Sequence, residues 1–595
     1  MYNAPIKDMQ FILNELIDMD ALAAHPGFED VSSDLVETIL VEAGKVASDV
    51  FAPLNKIGDQ QGSHLKDGKV VVPEGFTEAF KLFSESGWMS INQPTEFGGQ
   101  GLPYLVDCAV SEMWHASNMA ITLCPLLTNG AVEAIYAHAS DELKTTYLSN
   151  MIEGKWTGTM NLTEPQAGSD LAAVRTKATP DGDQYRIKGQ KIYITWGDHE
   201  MTENIVHLVL ARLPDAPEGV KGISLFLVPK YLLNEDGSIG ERNDLKPVSL
   251  EHKMGIHASP TCVMSFGDND GAIGYLVGEE NNGLACMFTM MNLARLAVGM
   301  EGVGLCEGAY QKAVAYAKER KQGYAAGHEG RVSIIEHADV RRMLMQMRAF
   351  TEASRALGYT AAVAHDNAHN SPDEAERTKQ QARVDLFIPI VKGWFTEIAQ
   401  EVTSLAVQVH GGMGFIEETG IAQYMRDARI TTIYEGTTGI QGLDLMGRKL
   451  MRDKGAGMHD LLGELKDFNT ELQAQDDAAF GSMKVQFSSA LDASLEATDW
   501  VLVNARTDPN VASSAGTNML MMMGTTLGGW MLAKSAVIAQ NHLNNGDDSV
   551  NDEFYRNKIV VAQFYAEQIL PRSLAYATAV TSGHEAVMGL ATDSF

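Results

Sequence analysis

The stretch KWTGTMNLTE, residues 155–164, decides the fold because the residue pattern changes from helical to strand-like there. β-Branched and aromatic residues now come in short runs, which turn residues such as PDGD (180–183) separate. The further strand-like segments are DQYRIKGQKIYITWG (183–197), NIVHLVLARL (204–213), GISLFLVPK (222–230) and TCVMSFGD (261–268). Since no helical segment lies between them, we expect an antiparallel sheet or barrel.

Helical patterns lie on both sides of this block. Apolar residues recur at helical spacing in 34–58 and 130–154, and again from 294 to about 450. A polar hinge, RDKGAGMHD (452–460), precedes a last helical stretch. The predicted fold class is therefore α+β. Its expected parts are an N-terminal helical domain (1–155), a central antiparallel β domain (156–278), a C-terminal helical domain (279–455) and a helical C-terminal extension (456–595).

Composition restricts the class of protein. The net charge of −31 argues against binding to nucleic acid or to an anionic membrane, because both need a basic surface. The five cysteines form no CxxC pair, which is typical of a reducing compartment, so we expect a cytoplasmic protein. Residues 1–22 carry acids and no basic start, unlike a signal peptide. Glycines and Lys534 interrupt the apolar run 518–540, which predicts a buried helix rather than a membrane span.

Common catalytic motifs are absent from the sequence. The segment GVGLCEG, which includes Gly302 and Gly304, lies in a helical run and lacks the spacing of a dinucleotide-binding loop. His365 and His369 are one helical turn apart, as two metal ligands could be, but a polar loop without cysteine follows them. We expect a solvated helix end there, and no metal site. Ser169 has no nearby histidine, which disfavours a serine hydrolase.

One acid, Glu435, stands in the stretch ARITTIYEGTTGIQG, residues 428–442. The β-branched run before it favours an extended or confined backbone, and Gly436 permits a tight turn after it. An acid held there is partly desolvated, which raises its pKa and suits a general base. A carboxylate that merely stabilises a helix N-terminus is the alternative that these residues leave open.

Six segments of the sequence form a set: NLTEPQAGSD (161–170), KIYITWG (191–197), KMGIHASPTC (253–262), ERKQG (319–323), QVHGGMGF (408–415) and IYEGTTGIQ (433–441). Taken together, their order and spacing resemble the acyl-CoA dehydrogenase family, and the resemblance covers roughly residues 35–450. An inserted loop (231–246) and the C-terminal extension resemble a subgroup of larger bacterial members that includes the 3-methylmercaptopropionyl-CoA dehydrogenases.

The resemblance implies a four-helix-bundle-like C-terminal domain and an enzyme that makes a Cα–Cβ double bond in an acyl-CoA thioester. Glu435 is then the base for the α-proton, and its backbone N–H helps to bind the carbonyl oxygen. Tyr434 and Gly436 fix the loop that aims it. Some relatives carry the base on an earlier helix, but the matching position here is Ala294, which cannot serve. Glu435 is thus left as the only candidate acid.

The resemblance also implies FAD as cofactor. The Thr163 hydroxyl and backbone groups of Met160 and Leu162 match positions at the isoalloxazine edge, with Tyr193 as an aromatic wall and Thr195 as a further hydroxyl. A cross-strand pair is the structural alternative for Tyr193 and Thr195. The full set of implied cofactor-binding residues is Met160, Leu162, Thr163, Gly168, Ser169, Tyr193, Thr195, Arg320, Gln322, Gln408, Gly411, Gly412, Thr437 and Thr438.

A second subunit contributes to the implied FAD site. Arg320, Gln322 and the segment 408–412 match the region that holds the diphosphate of the neighbouring subunit's FAD, and Thr437 and Thr438 match contacts at a helix start. The insertion YAAGHEGRVSI (324–334) departs from the family pattern there. We therefore expect a homodimer, whose C-terminal extension covers the surface that smaller relatives use to form tetramers.

The implied substrate site contains Ser169, Asn292 and Arg295 on the pantetheine side, and Tyr434 and Gly436 at the reacting end. The expected substrates are short acyl-CoAs of about butyryl size, including 3-methylmercaptopropionyl-CoA, with an electron-transferring flavoprotein as electron acceptor. The alternatives are a medium- or long-chain acyl-CoA dehydrogenase, an acyl-CoA oxidase and a noncatalytic flavoprotein scaffold.

Overall fold

A helix–strand–helix order runs along the chain, as the sequence predicts. The computed structural model describes residues 2–476, 478–546 and 552–595. The α-helices are α1 Ile6–Phe11, α2 Met19–Ala23, α3 Ser33–Val46, α4 Ala52–Gln61, α5 Phe76–Glu85, α6 Tyr104–His138, α7 Asp141–Ile152, α8 Gly283–Glu319, α9 Ala338–Asn370, α10 Glu374–His410, α11 Ile421–Ala428, α12 Thr438–Asp444, α13 Ala456–Gln473, α14 Gly481–Asn504, α15 Pro509–Asn545, α16 Asp552–Gln568, α17 Arg572–Thr581 and α18 Glu585–Met588.

The strands form one large sheet and two short hairpins. The large sheet has the order β10-β11-β5-β12-β7-β6-β3, and β4 pairs with β5. Its neighbours are antiparallel except β3 and β6, which are parallel. The chain between these two strands, which includes β4 and β5, is long enough for the crossover that a parallel pair needs. The strands are β1 His64–Lys66, β2 Lys69–Val71, β3 Trp156–Asn161, β4 Lys177–Asp181, β5 Gln184–Thr195, β6 Asn204–Ala211, β7 Ser224–Pro229, β8 Tyr231–Leu233, β9 Ile239–Arg242, β10 Leu245–Leu250, β11 Thr261–Phe266 and β12 Ala272–Val277.

The chain divides into two compact units. The first unit contains residues 1–42, 108–116 and 298–595, and the second contains 43–107 and 117–297. The large sheet belongs to the second unit, together with the inserted loop 231–246, most of which forms the hairpin β8–β9. The first unit contains the helices of the C-terminal extension, which confirms the prediction that this extension is helical.

Strand β7 is a continuous apolar run in the sequence, and its position in the second unit explains why. All of its residues are buried, and successive side chains alternate between two cores. Leu225 and Leu227 pack in a core that also includes residues of α6 and α7, whereas Phe226 and Val228 pack in a core on the other face of the sheet. Burial on both faces explains why this strand lacks the alternation of polar and apolar residues.

Helix α15 is the central apolar helix of the first unit. Met519, Leu520, Met522 and Met523 are fully buried, as expected for the run 518–540. Glycines let neighbouring helices approach it closely: a Cβ on Gly524 would lie 2.2 Å from Trp394 Cγ in α10. On α12, Gly442 faces Gly516 of α15, where a Cβ would lie 3.0 Å from the Gly442 carbonyl carbon. The C-terminal extension therefore packs directly against α10 and α12.

A buried network of charges ties distant segments of the first unit together. Arg355 of α9 is 1% exposed and donates to Glu112, Glu307 and Asp8. Lys558 of α16 is buried as well and pairs with Asp8 and, at 2.9 Å, with Glu352 of α9. The partners are mutually dependent, because removing one member of a buried pair leaves an uncompensated charge and costs about 3–5 kcal/mol.

Among the residues that the structure describes, two helices are long and apolar enough to cross a membrane by length and composition: Tyr104–His138 and Gly283–Glu319. In their most apolar windows, 78% and 56% of residues are buried inside the protein. The core helix of a soluble protein passes the same test, so two such helices are weak evidence for a membrane span. The five cysteines are also buried, and none is joined to another by a disulfide.

We expect Gly524→Ala to lower the free energy of unfolding by about 1–3 kcal/mol, because the new methyl group overlaps the ring of the fully buried Trp394. The matched control is Gly463→Ala in α13, where no atom lies within 4 Å of the added Cβ. That variant should gain about 0.5–1 kcal/mol from helix propensity. Urea unfolding followed by circular dichroism measures both. Equal midpoints for the two variants would contradict the close packing of α15 on α10.

Candidate active site

The backbone at Glu435 adopts a left-handed conformation, with φ of 53°, and Gly436 follows with φ of 90°. Only a few per cent of residues other than glycine have positive φ, and such strain often marks functional sites. Glu435 is half-buried. Thr437 then caps α12, since its Oγ1 accepts a hydrogen bond from the Ile440 N–H at 3.3 Å. We call residues 433–437 the Glu435 loop.

The β-branched run before this loop is not extended, and that part of the prediction is wrong. Residues Arg429–Thr432 form a 3-10 helix that continues from α11. The hydroxyl of Thr431 donates to the Ala428 carbonyl at 2.8 Å, and that of Thr432 donates to the Arg429 carbonyl. These local hydrogen bonds satisfy helical carbonyls and outweigh the strand preference of threonine.

Helix α10 and Gln441 of α12 hold the backbone at Glu435 and on its C-terminal side. The fully buried Lys392 donates from Nζ to the Gly436 carbonyl at 2.6 Å. One turn further on, Glu397 accepts a hydrogen bond of 2.6 Å from the Thr438 hydroxyl. Gln441 of α12 adds a bond of 3.0 Å from Nε2 to the Glu435 carbonyl. These bonds fix the backbone from which the Glu435 side chain extends.

A second acid, Glu301 of α8, adjoins the loop, and it lies outside the six motifs. Glu301 is fully buried and accepts a hydrogen bond from the Tyr434 hydroxyl. The sequence carries a signal for it: Glu301 is a single acid in an apolar helical run, two turns after Ala294. The Glu435 loop therefore has a second acid beside it in space, although the two acids are far apart in sequence.

In the second unit, two segments that were predicted to contact flavin lie side by side. The Thr163 carbonyl accepts a hydrogen bond of 2.9 Å from the Ile192 N–H, which brings residues 160–163 next to β5. Met160, Leu162, Thr163 and Thr195 are all partly exposed. Thr195 also pairs across the sheet with Thr261. The segment 160–163 and β5 thus share one partly exposed surface.

Tyr193 lies in a bulge of β5 rather than in a regular cross-strand pair. The pairing with β11 shifts register here, since Cys262 faces Ile194 and Met264 faces Lys191. Tyr193 has φ of 60°, and its side chain is 60% exposed. A β-bulge redirects a side chain away from the sheet, so the Tyr193 ring is available as a wall for a flat ligand.

Glu164 anchors this surface from within the protein. Its carboxylate lies 2.8 Å from Lys191 Nζ, and both side chains are buried. It also accepts hydrogen bonds from the backbone N–H groups of Arg175 and Thr176. Burial alone would raise the pKa of Glu164, but Lys191 and these donors hold the pKa at about 2. Glu164 is therefore a structural anchor within the motif 161–170, a role that its sequence pattern does not predict.

The residues expected near CoA lie on two elements of the second unit. Gly168 and Ser169 are exposed in the loop after β3. Asn292 is half-buried on α8, whereas Arg295 is only 4% exposed and places its guanidinium 6.0 Å from the centre of the Phe288 ring. Arg295 is thus mostly enclosed, and Asn292 and Ser169 are more accessible.

The residues expected to bind the diphosphate are exposed in the first unit. Arg320, Gln322, Gln408, Gly411 and Gly412 all lie on its surface. Within the insertion 324–334 the chain turns back on itself, so that Lys321 forms an antiparallel β-bridge with Ser333. The Gln322 N–H donates to the Val332 carbonyl at 3.0 Å. Arg320 and Gln322 therefore retain an ordered backbone despite the insertion.

The two threonines of the expected diphosphate site, Thr437 and Thr438, differ in the exposure of their side chains. The side chain of Thr437 is exposed at the start of α12, whereas that of Thr438 is buried and donates to Glu397. Of the two hydroxyls, that of Thr437 is the more accessible to a ligand.

Metal chemistry has no support in the described part of the chain, where no group of three His, Cys, Asp or Glu side chains could hold an ion. The rings of His365 and His369 contact each other at 4.3 Å between centroids. Burial lowers the pKa of His365 to about 3. The expectation of a solvated helix end is correct for the exposed His369 and wrong for His365, which packs inward.

Comparison with protein families gives four matches along the chain. Residues 63–155 match the acyl-CoA dehydrogenase N-terminal domain, 159–269 the middle domain and 281–450 the C-terminal domain. Residues 461–591 match a domain described as acetyl-CoA dehydrogenase C-terminal like. The matches therefore include the extension as well as the region of the six motifs.

Individual relatives match over nearly the whole chain. A 3-methylmercaptopropionyl-CoA dehydrogenase of Ruegeria pomeroyi is 46% identical over 590 residues, which cover 99% of each chain. A butyryl-CoA dehydrogenase of Syntrophomonas wolfei is 36% identical over 96% of this chain and 95% of its own. The structure of Caenorhabditis elegans ACDH-11 in complex with C11-CoA has a TM-score of 0.78 at 22% identity, covering 100% of this chain and 96% of its own. At that identity the likeness concerns the fold.

We expect Lys191→Met to destabilise the protein by about 3–5 kcal/mol, because Glu164 would remain buried without its cation. Lys188→Met, at an exposed position of the same strand, is the matched control and should stay within about 0.5 kcal/mol of the parent protein. Adding Glu164→Gln to Lys191→Met should restore part of the loss. Thermal unfolding of the four proteins measures these effects, and equal melting temperatures for both lysine variants would refute the anchor.

Proposed function

Because the chain belongs to the acyl-CoA dehydrogenase family, we propose that it is an FAD-dependent enzyme that converts an acyl-CoA thioester to the trans-2-enoyl-CoA. The observation that carries this proposal is the Glu435 loop. Glu435 is half-buried at a strained backbone position, where Gln441 and Lys392 donate to the carbonyls of Glu435 and Gly436. The preceding residue, Tyr434, is held by its hydrogen bond to Glu301. A carboxylate that merely capped a helix would need none of these constraints.

In the proposed reaction Glu435 takes the α-proton of the thioester. That proton is only weakly acidic, so the negative charge that develops on the carbonyl oxygen needs donors that are already in place. The backbone N–H of Glu435 is proposed as one of them, which would link the position of the base to that of the oxyanion. Tyr434 and Gly436 keep this geometry, and Ser169, Asn292 and Arg295 are proposed contacts to the CoA side of the substrate.

The residues of the second unit fit a flavin. An exposed aromatic ring at Tyr193, the partly exposed Thr163 and Thr195 hydroxyls and the adjoining segment 160–163 offer a flat wall beside polar groups. Arg320, Gln322, Gln408 and the two glycines supply a cation, polar groups and an open backbone for a diphosphate. When bound, FAD supplies the acceptor for the hydride that leaves Cβ.

We propose a homodimer, in which the diphosphate-binding surface of the first unit serves the FAD of the neighbouring subunit. This surface is exposed, as such a role requires. The C-terminal extension would cover the surface that smaller relatives use for tetramers. We further propose a cytoplasmic enzyme that passes its electrons to an electron-transferring flavoprotein.

Two other functions differ from this one in a measurable way. An acyl-CoA oxidase would transfer electrons from the reduced flavin to oxygen, so anaerobic reduction by substrate followed by admission of air distinguishes it from a dehydrogenase. A noncatalytic flavoprotein scaffold that binds DNA would need a basic surface, which a net charge of −31 disfavours.

We expect the purified protein to carry noncovalent FAD. We also expect Glu435→Gln to keep the flavin and the affinity for acyl-CoA, whereas its turnover should fall by about 10²–10⁴. Glutamine preserves the shape and the backbone donor but cannot take a proton. Glu435→Asp, which keeps a carboxylate one methylene further back, is the graded control and should retain more activity. Acid release of the chromophore identifies the cofactor. Ligand titration measures the affinity for acyl-CoA, and steady-state rates measure the turnover. Release of FMN, or wild-type turnover in Glu435→Gln, would contradict the assignment.

We expect the substrate preference to favour short acyl-CoAs of about butyryl size, including 3-methylmercaptopropionyl-CoA. The full-length similarity to a 3-methylmercaptopropionyl-CoA dehydrogenase and to a butyryl-CoA dehydrogenase supports this proposal. One methylene is worth about 1–3 kcal/mol in an apolar pocket, so the preference should be graded. The measurement is kcat/KM for butyryl-, 3-methylmercaptopropionyl-, octanoyl- and palmitoyl-CoA. A maximum at palmitoyl-CoA would overturn the short-chain proposal and leave the role of Glu435 intact.

A further inference from the structure

Glu301 lies in the middle of α8 and is fully buried. One carboxyl oxygen, Oε2, accepts the hydrogen bond from the Tyr434 hydroxyl. The other, Oε1, has no hydrogen-bond partner among the described residues. A buried carboxylate needs partners for both oxygens, because an ionised group without them loses far more hydration energy than a neutral one. The geometry therefore favours the protonated form of Glu301.

The groups around Glu301 come from three elements. Tyr434 and Glu435 belong to the Glu435 loop, Lys392 comes from α10, and Asp427 of α11 interacts electrostatically with Tyr434. Burial raises the pKa of Glu301 to about 8, the Tyr434 hydrogen bond and the Lys392 charge oppose this rise, and the Glu435 charge adds to it. Burial and Glu301 raise the pKa of Tyr434 well above its usual value, so Tyr434 remains the donor.

We propose that Glu301 is a positioning residue of the active site: as a neutral acid it holds Tyr434, and it leaves the negative charge of this region to Glu435. The inference rests on the proposed function of Glu435 as the base. Tyr434 is the neighbour of Glu435 in the chain, so a fixed Tyr434 side chain limits the directions that the base can take. Lys392 and Gln441 hold the backbone of the same loop, whereas Glu301 holds a side chain.

The proposal has a consequence for the pH dependence of the reaction. Below about pH 8 Glu301 is neutral, and Glu435 can ionise without a charged neighbour. Above this pH Glu301 becomes negative, and two carboxylates then share a site of low dielectric constant. The second charge repels both Glu435 and the negative charge that develops on the substrate, so kcat should decrease. If the form with ionised Glu301 is inactive, the loss from pH 7 to 9 is about tenfold.

The test compares pH profiles of kcat for the flavin-loaded enzyme and two variants. Glu301→Gln imitates the neutral acid and cannot ionise, so its kcat should lose the decrease above pH 8 that the parent shows. Tyr434→Phe removes a hydrogen bond that lowers the pKa of Glu301, so its decrease should move to higher pH. An unchanged decrease in Glu301→Gln would overturn the proposal, as would a loss of turnover that is equal at every pH.

Glu307→Gln is the matched control, because Glu307 is a second buried acid on α8 but is paired with Arg355. It should retain the decrease above pH 8. Glu435→Gln distinguishes the two proposals: an active Glu435→Gln refutes the base, whereas an inactive one together with an unchanged profile in Glu301→Gln refutes only the positioning role.

Stability supplies a readout that needs no substrate. A carboxyl whose pKa is higher in the folded than in the unfolded protein stabilises the fold below the unfolded pKa, and this contribution is lost as the pH rises to the folded pKa. Glutamine cannot ionise. The melting temperature of Glu301→Gln should therefore rise relative to the parent between about pH 5 and 8 and level off above that range. A constant difference across this range would contradict a protonated Glu301.

Discussion

The backbone at Glu435 is strained, and hydrogen bonds within the first unit hold it in that conformation. Glu435 has a left-handed backbone, which is unfavourable for a residue with a Cβ. Lys392 and Glu397 of α10 hold the chain on its C-terminal side, and Glu301 of α8 holds Tyr434 on the other side. Three hydrogen bonds from two long helices therefore maintain a conformation that a free loop would not adopt.

The sequence predicted most of the architecture because burial leaves a strong pattern. Strands such as β7, buried on both faces, read as continuous apolar runs, and the glycine-interrupted run of α15 was correctly assigned to a buried helix. Local conformations were harder to predict. The threonines before the Glu435 loop favour a strand by propensity, yet their hydroxyls bond to nearby carbonyls and support a 3-10 helix.

The prediction of functional-site residues from sequence has the same limit: it depends on local patterns. Motifs singled out Glu435 and Tyr193, whereas Glu164, although it lies in a motif, and Glu301 have partners far away in sequence. Lys191 is 27 positions from Glu164, and Tyr434 is 133 positions from Glu301. Whether an acid is paired or neutral depends on which groups the fold brings next to it. No local pattern contains that information, so these two acids could be interpreted only from the structure.

The pair formed by Asp8 and Lys558 has a consequence for the order in which the protein is made. The two residues are 550 positions apart, so the N-terminal helix leaves the ribosome long before its cation exists. Asp8 has to remain hydrated during that time, since its burial without Lys558 and Arg355 is unfavourable. This part of the first unit can therefore be completed only after residue 558 has been made, through a contact between distant positions of the kind that forms slowly. The second unit, whose residues all precede position 298, can mature during synthesis.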